Sequence, residues 1–435
     1  MSSLQIGLLG VVAILVLIGM RVPIGVALGV GSFAGIWAIR GFDPALGTLR
    51  SLPFEFVAHW SLSAIPMFLL MSAVASQSGI AKSLYRAARL WLNFMPGSLA
   101  VSTTFASAGM AAASGSSMAT AAAMGKLAIP EMLRFKYDKG LAAGVVASAG
   151  TLGSLIPPSI LIVLYAIFAE VSISQMLIAG VLPGILTAAV YVIMIIMRCS
   201  ITPSLAPKIE EHHDPGEKWR ALGEVWPLPV LILIVIGGIY SGIATATEAG
   251  AFGAAAAFLI AIFQRRMNWQ VARDSVVEAC VSTGLVFFTA IGAILLTRFM
   301  AFAGVPFYMA DLAEPFSDQF VVLIIGASIV FIILGMFLDP LGVLLLSLPI
   351  MLPLFEGVGA DMIWFGIIVI KFLEIGLVTP PVGFNVYVIK SVVGDQIPLE
   401  TIFKGVGWFI ICELIVVALL VLFPDIVLYL PSLMQ

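Results

Sequence analysis

Two groups of small and oxygen-bearing residues have the types and spacing to bind a small hard cation. Hydroxyl, carboxylate and backbone carbonyl oxygens are the ligands that such a cation prefers. The candidate ligands of the first group are Ser114, Gly115, Ser116, Ser117, Gly150, Thr151, Gly153 and Ser154. Those of the second group are Gly335, Asp339, Gly376 and Thr379.

Each group is followed or interrupted by a pair of prolines, Pro157-Pro158 and Pro380-Pro381. Proline has no N–H to donate to the carbonyl four residues earlier in a helix, and it pushes the preceding residue toward an extended conformation. We therefore predict two broken helices; ordinary kinked helices are the alternative. The carbonyls that lose their helical donors are those of Gly153, Ser154, Gly376 and Leu377.

The two groups are related by a weak internal repeat. Gly153 and Gly376 are 223 residues apart, and both proline pairs share this offset. The same offset relates Pro130 to Pro353 and places Ser116 opposite Asp339. Broken helices at matching positions of two halves are typical of the central site of secondary transporters.

Single polar residues in apolar surroundings add candidates for substrate binding. Asp339 is an intramembrane carboxylate, which is functional by default, although an Asp-Pro pair also forms turns. Arg298 is the lone cation of a long apolar segment; it either attracts an anionic substrate or extends to the membrane interface as an anchor. Asn385 either binds substrate or ties the broken helix together. We expect the substrate to contact Ser116, Arg298, Asp339 and Asn385.

Other polar residues favour structural roles. Lys371 and Glu374 are three residues apart on a helix and can neutralise each other. Thr245 and Glu248 have the spacing of a helix N-cap and its first turn. The pair His212-His213 lies in a polar loop and favours a solvated linker over a metal site.

Composition places these candidates in a membrane. The 435 residues are 61% hydrophobic and 10% charged, with a mean hydropathy of +1.14, and many apolar runs approach the roughly 20 residues that cross a bilayer. We predict an all-α polytopic membrane protein with about ten spanning helices, two re-entrant hairpins and two broken helices. Three distant cysteines form no disulfide framework, and no nucleic-acid motif is present.

The chain divides into two halves joined by a polar linker at 198–226. We predict first-half scaffold at 1–80, an in-plane amphipathic arm at 81–96, further scaffold at 171–300 that contains the cytoplasmic linker, and a second, extracytoplasmic arm at 301–319. The small-residue segments 97–170 and the segment 320–393 form a transport domain, each with one hairpin, and 394–435 is a terminal scaffold helix. Two full crossings in place of each hairpin are the alternative.

The distribution of Lys and Arg predicts the orientation. With an extracytoplasmic N-terminus, sixteen of these residues fall on one side and only Arg40 and Arg50 on the other. Positive charge concentrates on the cytoplasmic side of membrane proteins. We therefore expect both termini to be extracytoplasmic and the two halves to have opposite orientations.

Several motifs together resemble the large membrane subunit of tripartite ATP-independent periplasmic (TRAP) transporters. They are the Ser-Gly-Ser-Ser tip at 114–117, Gly-Ser-Leu-Ile-Pro-Pro-Ser at 153–159, Ala-Thr-Glu-Ala-Gly-Ala at 246–251, Leu-Asp-Pro at 338–340 and Gly-Leu-Val-Thr-Pro-Pro-Val-Gly at 376–383. The resemblance covers nearly the whole chain.

The resemblance implies a secondary transporter, and not an enzyme, in a bacterial inner membrane. It implies Na⁺ at two or more sites, an organic-acid substrate held between the hairpin tips, and an elevator mechanism. The implied partners are a periplasmic substrate-binding protein and a small four-helix membrane subunit. Because the chain starts at the first large-subunit span, we expect that subunit to be a separate polypeptide.

Three other functions are compatible with parts of the pattern. A stand-alone carboxylate carrier would need no binding protein. An intramembrane protease would need a histidine or a second aspartate at membrane depth, and a channel would need no pair of ion sites.

Overall fold

The computed structural model describes residues 1–208, 214–313, 315 and 320–434, and the secondary structure within these ranges is helical without strands. The first helices cover the segments predicted as first-half scaffold and in-plane arm. They are α1 Ser3–Gly19, α2 Ile24–Arg40, α3 Phe42–Val57, α4 Ala64–Gln77 and α5 Ile80–Trp91. A single 3₁₀ turn, Trp60–Ser63, precedes α4.

The next helices contain the first predicted hairpin and broken helix. They are α6 Ser98–Ser114, α7 Ser117–Arg134, α8 Lys139–Leu155, α9 Ile160–Phe168, α10 Ile173–Ala179 and α11 Val181–Ile201. The axes of α8 and α9 differ by 42°. The break is where the prolines remove the helical N–H donors, as the sequence predicts.

The linker and the start of the second half are more helical than expected. These helices are α12 Pro215–Gly223, α13 Pro227–Ile232, α14 Gly238–Tyr240, α15 Ala246–Phe263, α16 Trp269–Ala303 and α17 Val305–Ala313. A π-helical turn, Leu233–Gly237, joins α13 to α14. Helix α17 occupies part of the predicted second arm, and α12 is a linker helix that the sequence did not predict. His212 and His213 lie outside the described residues.

The last helices repeat the order of the first half. They are α18 Phe320–Phe337, α19 Pro340–Gly357, α20 Met362–Val378, α21 Phe384–Val393, α22 Leu399–Leu422 and α23 Asp425–Ser432. Helices α18 and α19 stand at the place of the predicted second hairpin, and α20 and α21 form the second broken helix. Because α18 and α19 are each long and apolar enough to cross a membrane, the re-entrant course of this hairpin stays a prediction. The short α23 was not predicted.

Length and hydropathy support a polytopic membrane protein. Among the described residues, eight helical segments are long and apolar enough to span a membrane, and the bent pair α8 and α9 makes a ninth. Helices α1 and α2 are apolar and have 17 residues each. The prediction of an all-α polytopic membrane protein is confirmed.

The helices pack as two sets. We call α1–α4 and α13–α16 the frame; its largest contacts are α16 on α2 and α15 on α4. We call α6–α11 and α18–α23 the block; its largest contacts are α7, α6 and α22 on α8 and α18 on α20. The arm helices α5 and α17 lie beside the hairpins, against α6 and α19 respectively.

The arm helix α5 is amphipathic, as predicted. Ile80, Tyr85 and Leu90 are buried, whereas Lys82 and Arg86 on the opposite face are exposed. The linker helix α12 packs on α5, and Arg86 forms salt bridges of 3.3 Å to Glu217 and 3.5 Å to Glu224. The indoles of Trp91 and Trp219 meet edge to face at 5.1 Å. The linker therefore braces the arm.

Glycines allow α8 and α22 to approach closely. A Cβ placed on Gly405 would lie 1.9 Å from the carbonyl oxygen of Gly140, and one on Gly144 would lie 2.6 Å from the carbonyl carbon of Gly405. Small residues at such crossings let helix backbones pack directly in membrane proteins.

We expect Gly405→Ala to destabilise the protein, because the new methyl group meets backbone that cannot rotate away. Overpacking of this kind costs about 1–3 kcal/mol. The matched control is Gly407→Ala on the same helix, where a Cβ meets nothing within 4 Å. Thermal unfolding of the purified protein in detergent is the measurement. Equal midpoints for the two variants would contradict the close crossing.

Candidate functional site

The tip of the first hairpin is a tight turn between α6 and α7. Gly115 has φ +60°, a left-handed conformation that favours glycine, and Ser116 is the N-cap of α7. The hydroxyls of Ser114 and Thr120 are 2.6 Å apart, and Thr120 Oγ1 donates to the carbonyl of Ser116 at 2.9 Å. Hydroxyl and carbonyl oxygens are therefore held together at this tip.

This tip lies directly against the first helix break. A Cβ on Gly153 would be 2.6 Å from the carbonyl oxygen of Ser116 and 2.9 Å from the backbone nitrogen of Ser117. A Cβ on Gly115 would be 2.3 Å from the carbonyl oxygen of Pro158. The structure thus brings Ser116 and Ser117 of the predicted first group against Gly153, with backbone packed against backbone.

Ser154 carries both a paired and an unpaired oxygen at the break. Its carbonyl accepts a hydrogen bond from the hydroxyl of Ser159, the N-cap of α9. Its own hydroxyl is buried and has no hydrogen-bond partner among the described residues. A buried polar atom without a partner is costly. The Ser154 hydroxyl is therefore available for a ligand.

The tip of the second hairpin presents Asp339. This residue is the N-cap of α19, and its Oδ2 accepts a hydrogen bond of 3.1 Å from the backbone N–H of Gly342. The carboxylate is partly buried. The turn-forming role that the Asp-Pro pair indicated is therefore present.

The second break resembles the first but makes a different backbone contact. Gly335 of α18 crosses Gly376 of α20, and a Cβ on Gly376 would be 2.8 Å from the Cα of Gly335. Thr379 is extended, as predicted, and its hydroxyl donates to the carbonyl of Ile375 at 2.6 Å. Both proline pairs, Pro157-Pro158 and Pro380-Pro381, are joined by cis peptide bonds.

The Gly376 carbonyl loses its helical donor at residue 380, as predicted, but it is not left without a partner. It accepts the N–H of Thr379 at 3.2 Å. The chain tightens to an i to i+3 bond at the end of α20, as helix ends commonly do.

Asn385 joins the two broken helices. It is fully buried near the start of α21, and its Nδ2 donates to the carbonyl of Ala147 in α8 at 3.1 Å. Its Oδ1 has no hydrogen-bond partner among the described residues. Asn385 thus ties the broken helix to its neighbour, which was the structural alternative to substrate binding. Its Oδ1 remains available to a ligand.

Arg298 lies at the surface of the molecule. Its side chain is exposed on α16, and its guanidinium lies 5.9 Å from the centroid of the Phe302 ring. Arg40 stacks on the same ring at 5.3 Å. This exposed position favours the alternative, an anchoring cation, and substrate contact by Arg298 stays a prediction.

The N-cap interpretation of the segment before α15 is confirmed. Thr245 and Glu248 form a capping box, in which the Thr245 hydroxyl accepts the Glu248 N–H at 3.3 Å and Glu248 Oε2 accepts the Thr245 N–H at 2.9 Å. These residues therefore have a structural role.

A cavity of about 1000 Å³ lies at the seam between the frame and the block. His59, Trp60 and Thr297 line it from the frame, and Glu170 and Glu356 line it from the block. The tip residues do not line this cavity, so it is distinct from the two candidate cation sites.

Sequence reasoning missed two hydroxyl groups that organise the first site. The Thr120 hydroxyl donates a hydrogen bond to the carbonyl of Ser116 at the tip, and the Ser159 hydroxyl donates one to the carbonyl of Ser154. For Ser159 a signal existed, because a serine directly after Pro-Pro and before an apolar run has the position of an N-cap. Thr120 gave no such signal within its alanine-rich helix.

The arrangement of hairpins and broken helices can be compared with known proteins. The family described as "Tripartite ATP-independent periplasmic transporter, DctM component" matches residues 11–426. The chain belongs to this family. It is therefore a multi-pass TRAP transporter permease of a bacterial inner membrane, and the protease and channel alternatives are wrong. Membership implies a small membrane subunit and a periplasmic binding protein as partners.

Relatives within the TRAP family have different named substrates. The chain is 36% identical over 406 residues to the C4-dicarboxylate large permease of Pseudomonas aeruginosa, covering 92% of this chain and 91% of the relative. It is 31% identical over 379 residues to the sialic acid large permease of Vibrio cholerae, covering 87% of both. It is 32% identical over 398 residues to the isethionate permease DctMQ of Oleidesulfovibrio alaskensis, covering 90% of this chain and 61% of that protein.

Solved structures support the fold alone. The YdaH transporter of Alcanivorax borkumensis is similar with a TM-score of 0.58 at 14% identity, covering 87% of this chain and 88% of that one. The TRAP family permease therefore shares its overall helical arrangement with a solved membrane transporter.

Proposed function

We propose that this chain is the membrane subunit of a sodium-coupled importer of organic acids that works by an elevator mechanism. A periplasmic binding protein delivers the substrate, and the small membrane subunit is a separate polypeptide that copurifies with the chain. The observation that carries the proposal is the packing of each hairpin against a helix break. The tip of the first hairpin meets Gly153, and helix α18 of the second hairpin meets Gly376. At the first break the Ser154 hydroxyl is buried and has no hydrogen-bond partner among the described residues.

Sodium fits the donor set at both proposed sites. The first site offers hydroxyl and carbonyl oxygens from Ser114, Ser116, Thr151, Gly153 and Ser154, without a carboxylate that could carry a proton. The second offers the carboxylate of Asp339 at the hairpin tip, together with oxygens of Gly335, Gly376 and Thr379 where α18 crosses the second break. Hard oxygen ligands of this kind suit sodium better than transition metals. The remaining predicted ligands, Gly115, Ser117 and Gly150, supply close backbone packing.

The substrate is proposed to bind between the two tips as an organic acid. Ser116, Asp339 and Asn385 provide polar contacts there, and bound sodium supplies positive charge for the carboxylate. Substrate contact by Arg298 stays a prediction from the sequence, because that side chain is exposed at the surface of the molecule. C4-dicarboxylates and sialic acid are the first candidates, because two relatives are named as transporters of these substrates.

Two observations support a moving block. Helices of the block pack mainly on each other. Helix α11 contacts α8 and α22, and α22 contacts α8 and α20, while neither makes a comparable contact to the frame among the described residues. We therefore propose that α11 and α22 move with the block, which differs from the division predicted from sequence. The arms α5 and α17 would brace its motion.

The position of the second tip supports an inward-facing state. Gly342 in the first turn of α19 packs against Ile24, the first residue of α2. The charge distribution assigns that end of α2 to the cytoplasm, and it assigns the cavity lined by His59 and Glu170 to the opposite end of the seam. A block displaced toward the cytoplasm would leave such a cavity on the outer side.

Uptake in proteoliposomes tests the proposal. With the small subunit and the binding protein present, we expect an inward sodium gradient to drive accumulation of the cognate acid. Replacing sodium by potassium should reduce uptake to the level of protein-free liposomes. Equal uptake in potassium would contradict sodium coupling, and equal uptake without the binding protein would select the stand-alone carrier.

A further inference from the structure

A smaller cavity lies where two helices of the frame end and the arm helix α5 begins. Its volume is about 400 Å³. Three of the side chains that line it, Lys82, Arg86 and Arg266, are cationic, and one, Glu224, is anionic. The cavity shares no residue with the proposed cation sites, so it requires an explanation of its own.

The cavity lies at the depth of the membrane surface. Helices α4 and α15 pack against each other, and each belongs to a segment that is long and apolar enough to span a membrane. They end at Gln77 and Phe263, within three residues of the cavity. Phe263 and Trp269, on either side of Arg266, have exposed side chains, and aromatic residues are enriched where a bilayer meets water. The cationic lining is therefore at the level of the lipid headgroups.

Arg266 is held in place by the backbone that joins α4 to α5. Its Nη1 donates to the carbonyls of Ser78 at 3.2 Å and Gly79 at 3.5 Å, and its Nη2 donates to the hydroxyl of Ser83 at 3.2 Å. A guanidinium has five N–H donors. Two of them have no acceptor among the residues that the structure describes. Arg266 is thus a positioned cation with part of its hydrogen-bonding capacity unused.

The three cations are not neutralised equally. Arg86 pairs with both Glu217 and Glu224, at 3.3 and 3.5 Å. Lys82 is exposed in the first turn of α5, and neither it nor Arg266 has a carboxylate partner in the described part of the chain. Two positive charges at one cavity raise its affinity for an anion.

We propose that this cavity binds the phosphate group of an anionic membrane phospholipid. The planar guanidinium of Arg266 matches the geometry of phosphate oxygens, and Lys82 adds a mobile cation beside it. Basic pockets between membrane helices bind anionic headgroups at this depth. Exposed apolar side chains in the last turn of α15, Ile262 and Phe263, provide a surface for the acyl chains, which a soluble phosphate would not use.

A headgroup in this cavity contacts several parts of the molecule. Ser78 follows α4 of the frame, Lys82 belongs to the arm, and Arg266 lies in the turn between α15 and α16. Glu224 directly follows the linker helix α12, which packs on the arm. The bound lipid therefore fixes the start of the arm to the frame. The site does not depend on sodium coupling, since it uses none of the proposed sodium ligands.

Native mass spectrometry of the purified protein in detergent tests the proposal. We expect the wild type to bind phosphatidylglycerol more tightly than phosphatidylcholine, whose headgroup carries a compensating positive charge. Lys82→Gln should weaken the binding of phosphatidylglycerol by about fivefold, which is the contribution of one cation near a membrane surface. The Lys82 side chain makes no hydrogen bond or ion pair within the described residues, so this variant should fold like the wild type.

Lys404→Gln is the matched control. It makes the same change at an exposed lysine of α22 that does not line the cavity. We expect this variant to bind phosphatidylglycerol as the wild type does. Equal affinities of the wild type for the two lipids would overturn the proposal, and so would an unchanged affinity for phosphatidylglycerol in Lys82→Gln.

Thermal unfolding distinguishes a lipid from a free phosphate. Phosphatidylglycerol should raise the unfolding temperature of the wild type and of Lys404→Gln, and this increase should be lost in the double variant Lys82→Gln/Arg266→Gln. Each variant is compared with itself in phosphatidylcholine, so that any structural cost of losing Arg266 cancels. An increase that persists in the double variant would contradict the site. If millimolar inorganic phosphate stabilises the wild type as much as phosphatidylglycerol does, the ligand is not a lipid and the proposal is wrong.

Discussion

Replacing Asp339 by asparagine is expected to abolish sodium-driven uptake and to leave the fold intact. Asparagine caps helices as well as aspartate does, so the hydrogen bond from Gly342 to residue 339 can persist. The substitution removes only the negative charge. A unit charge 4 Å from a cation contributes about 4 kcal/mol at an effective dielectric constant near 20. Sodium binding at the second site should therefore weaken by on the order of several hundredfold.

Asp361→Asn is the matched control for this prediction. Asp361 is the N-cap of α20, and its Oδ1 accepts the backbone N–H groups of Ile363 and Trp364 at 2.8 and 3.0 Å. The control makes the same chemical change at another helix N-cap outside the proposed site. We expect it to transport like the wild type in proteoliposomes. Normal sodium-driven uptake by Asp339→Asn would leave Asp339 with its capping role alone.

Gly153→Ala is expected to abolish uptake by separating the first tip from the first break. The new methyl group would lie 2.6 to 2.9 Å from the backbone of Ser116 and Ser117. Because backbone rather than a flexible side chain is in the way, the hairpin has to shift. Such overpacking costs about 1–3 kcal/mol of stability, and the displaced oxygens can no longer converge on one cation.

Gly326→Ala is the control for this second prediction. Gly326 lies in the middle of α18, where a Cβ meets nothing within 4 Å. We expect the Gly326→Ala variant to insert into the membrane, to unfold at the same temperature as the wild type and to transport at the same rate. Sodium binding measured calorimetrically on purified Gly153→Ala separates a lost site from a lost fold. Sodium affinity and uptake at wild-type levels in this variant would refute the role of the contact.

The two broken helices and hairpins could be predicted because their causes are local. A proline pair removes helical donors wherever it stands, and a Ser-Gly-Ser-Ser segment interrupts a helix through its own turn propensity. Helix α20 ends at Val378, two residues before Pro380, for this reason. The Thr245 capping box was likewise readable from its spacing.

Orientation about a helix axis was harder to predict. Arg298 lies in an apolar helix of 35 residues, α16, whose sequence carries no strong amphipathic pattern. Nothing in such a pattern says whether the residue faces the block or the outside. The linker helix α12 was missed for a related reason, since nine residues form a stable helix here only by docking on α5.

By itself the sequence determined the membrane class, the internal repeat, the positions of the helix breaks and the types of oxygen ligand, because each follows from composition or from neighbours within a few residues. Only the tertiary structure decided which of these groups meet. Lys371 and Glu374 were readable as a pair three residues apart, but Glu413 and Tyr191 reach them from α22 and α11. Contacts between distant segments depend on how helices pack, and helix packing is a property of the whole chain.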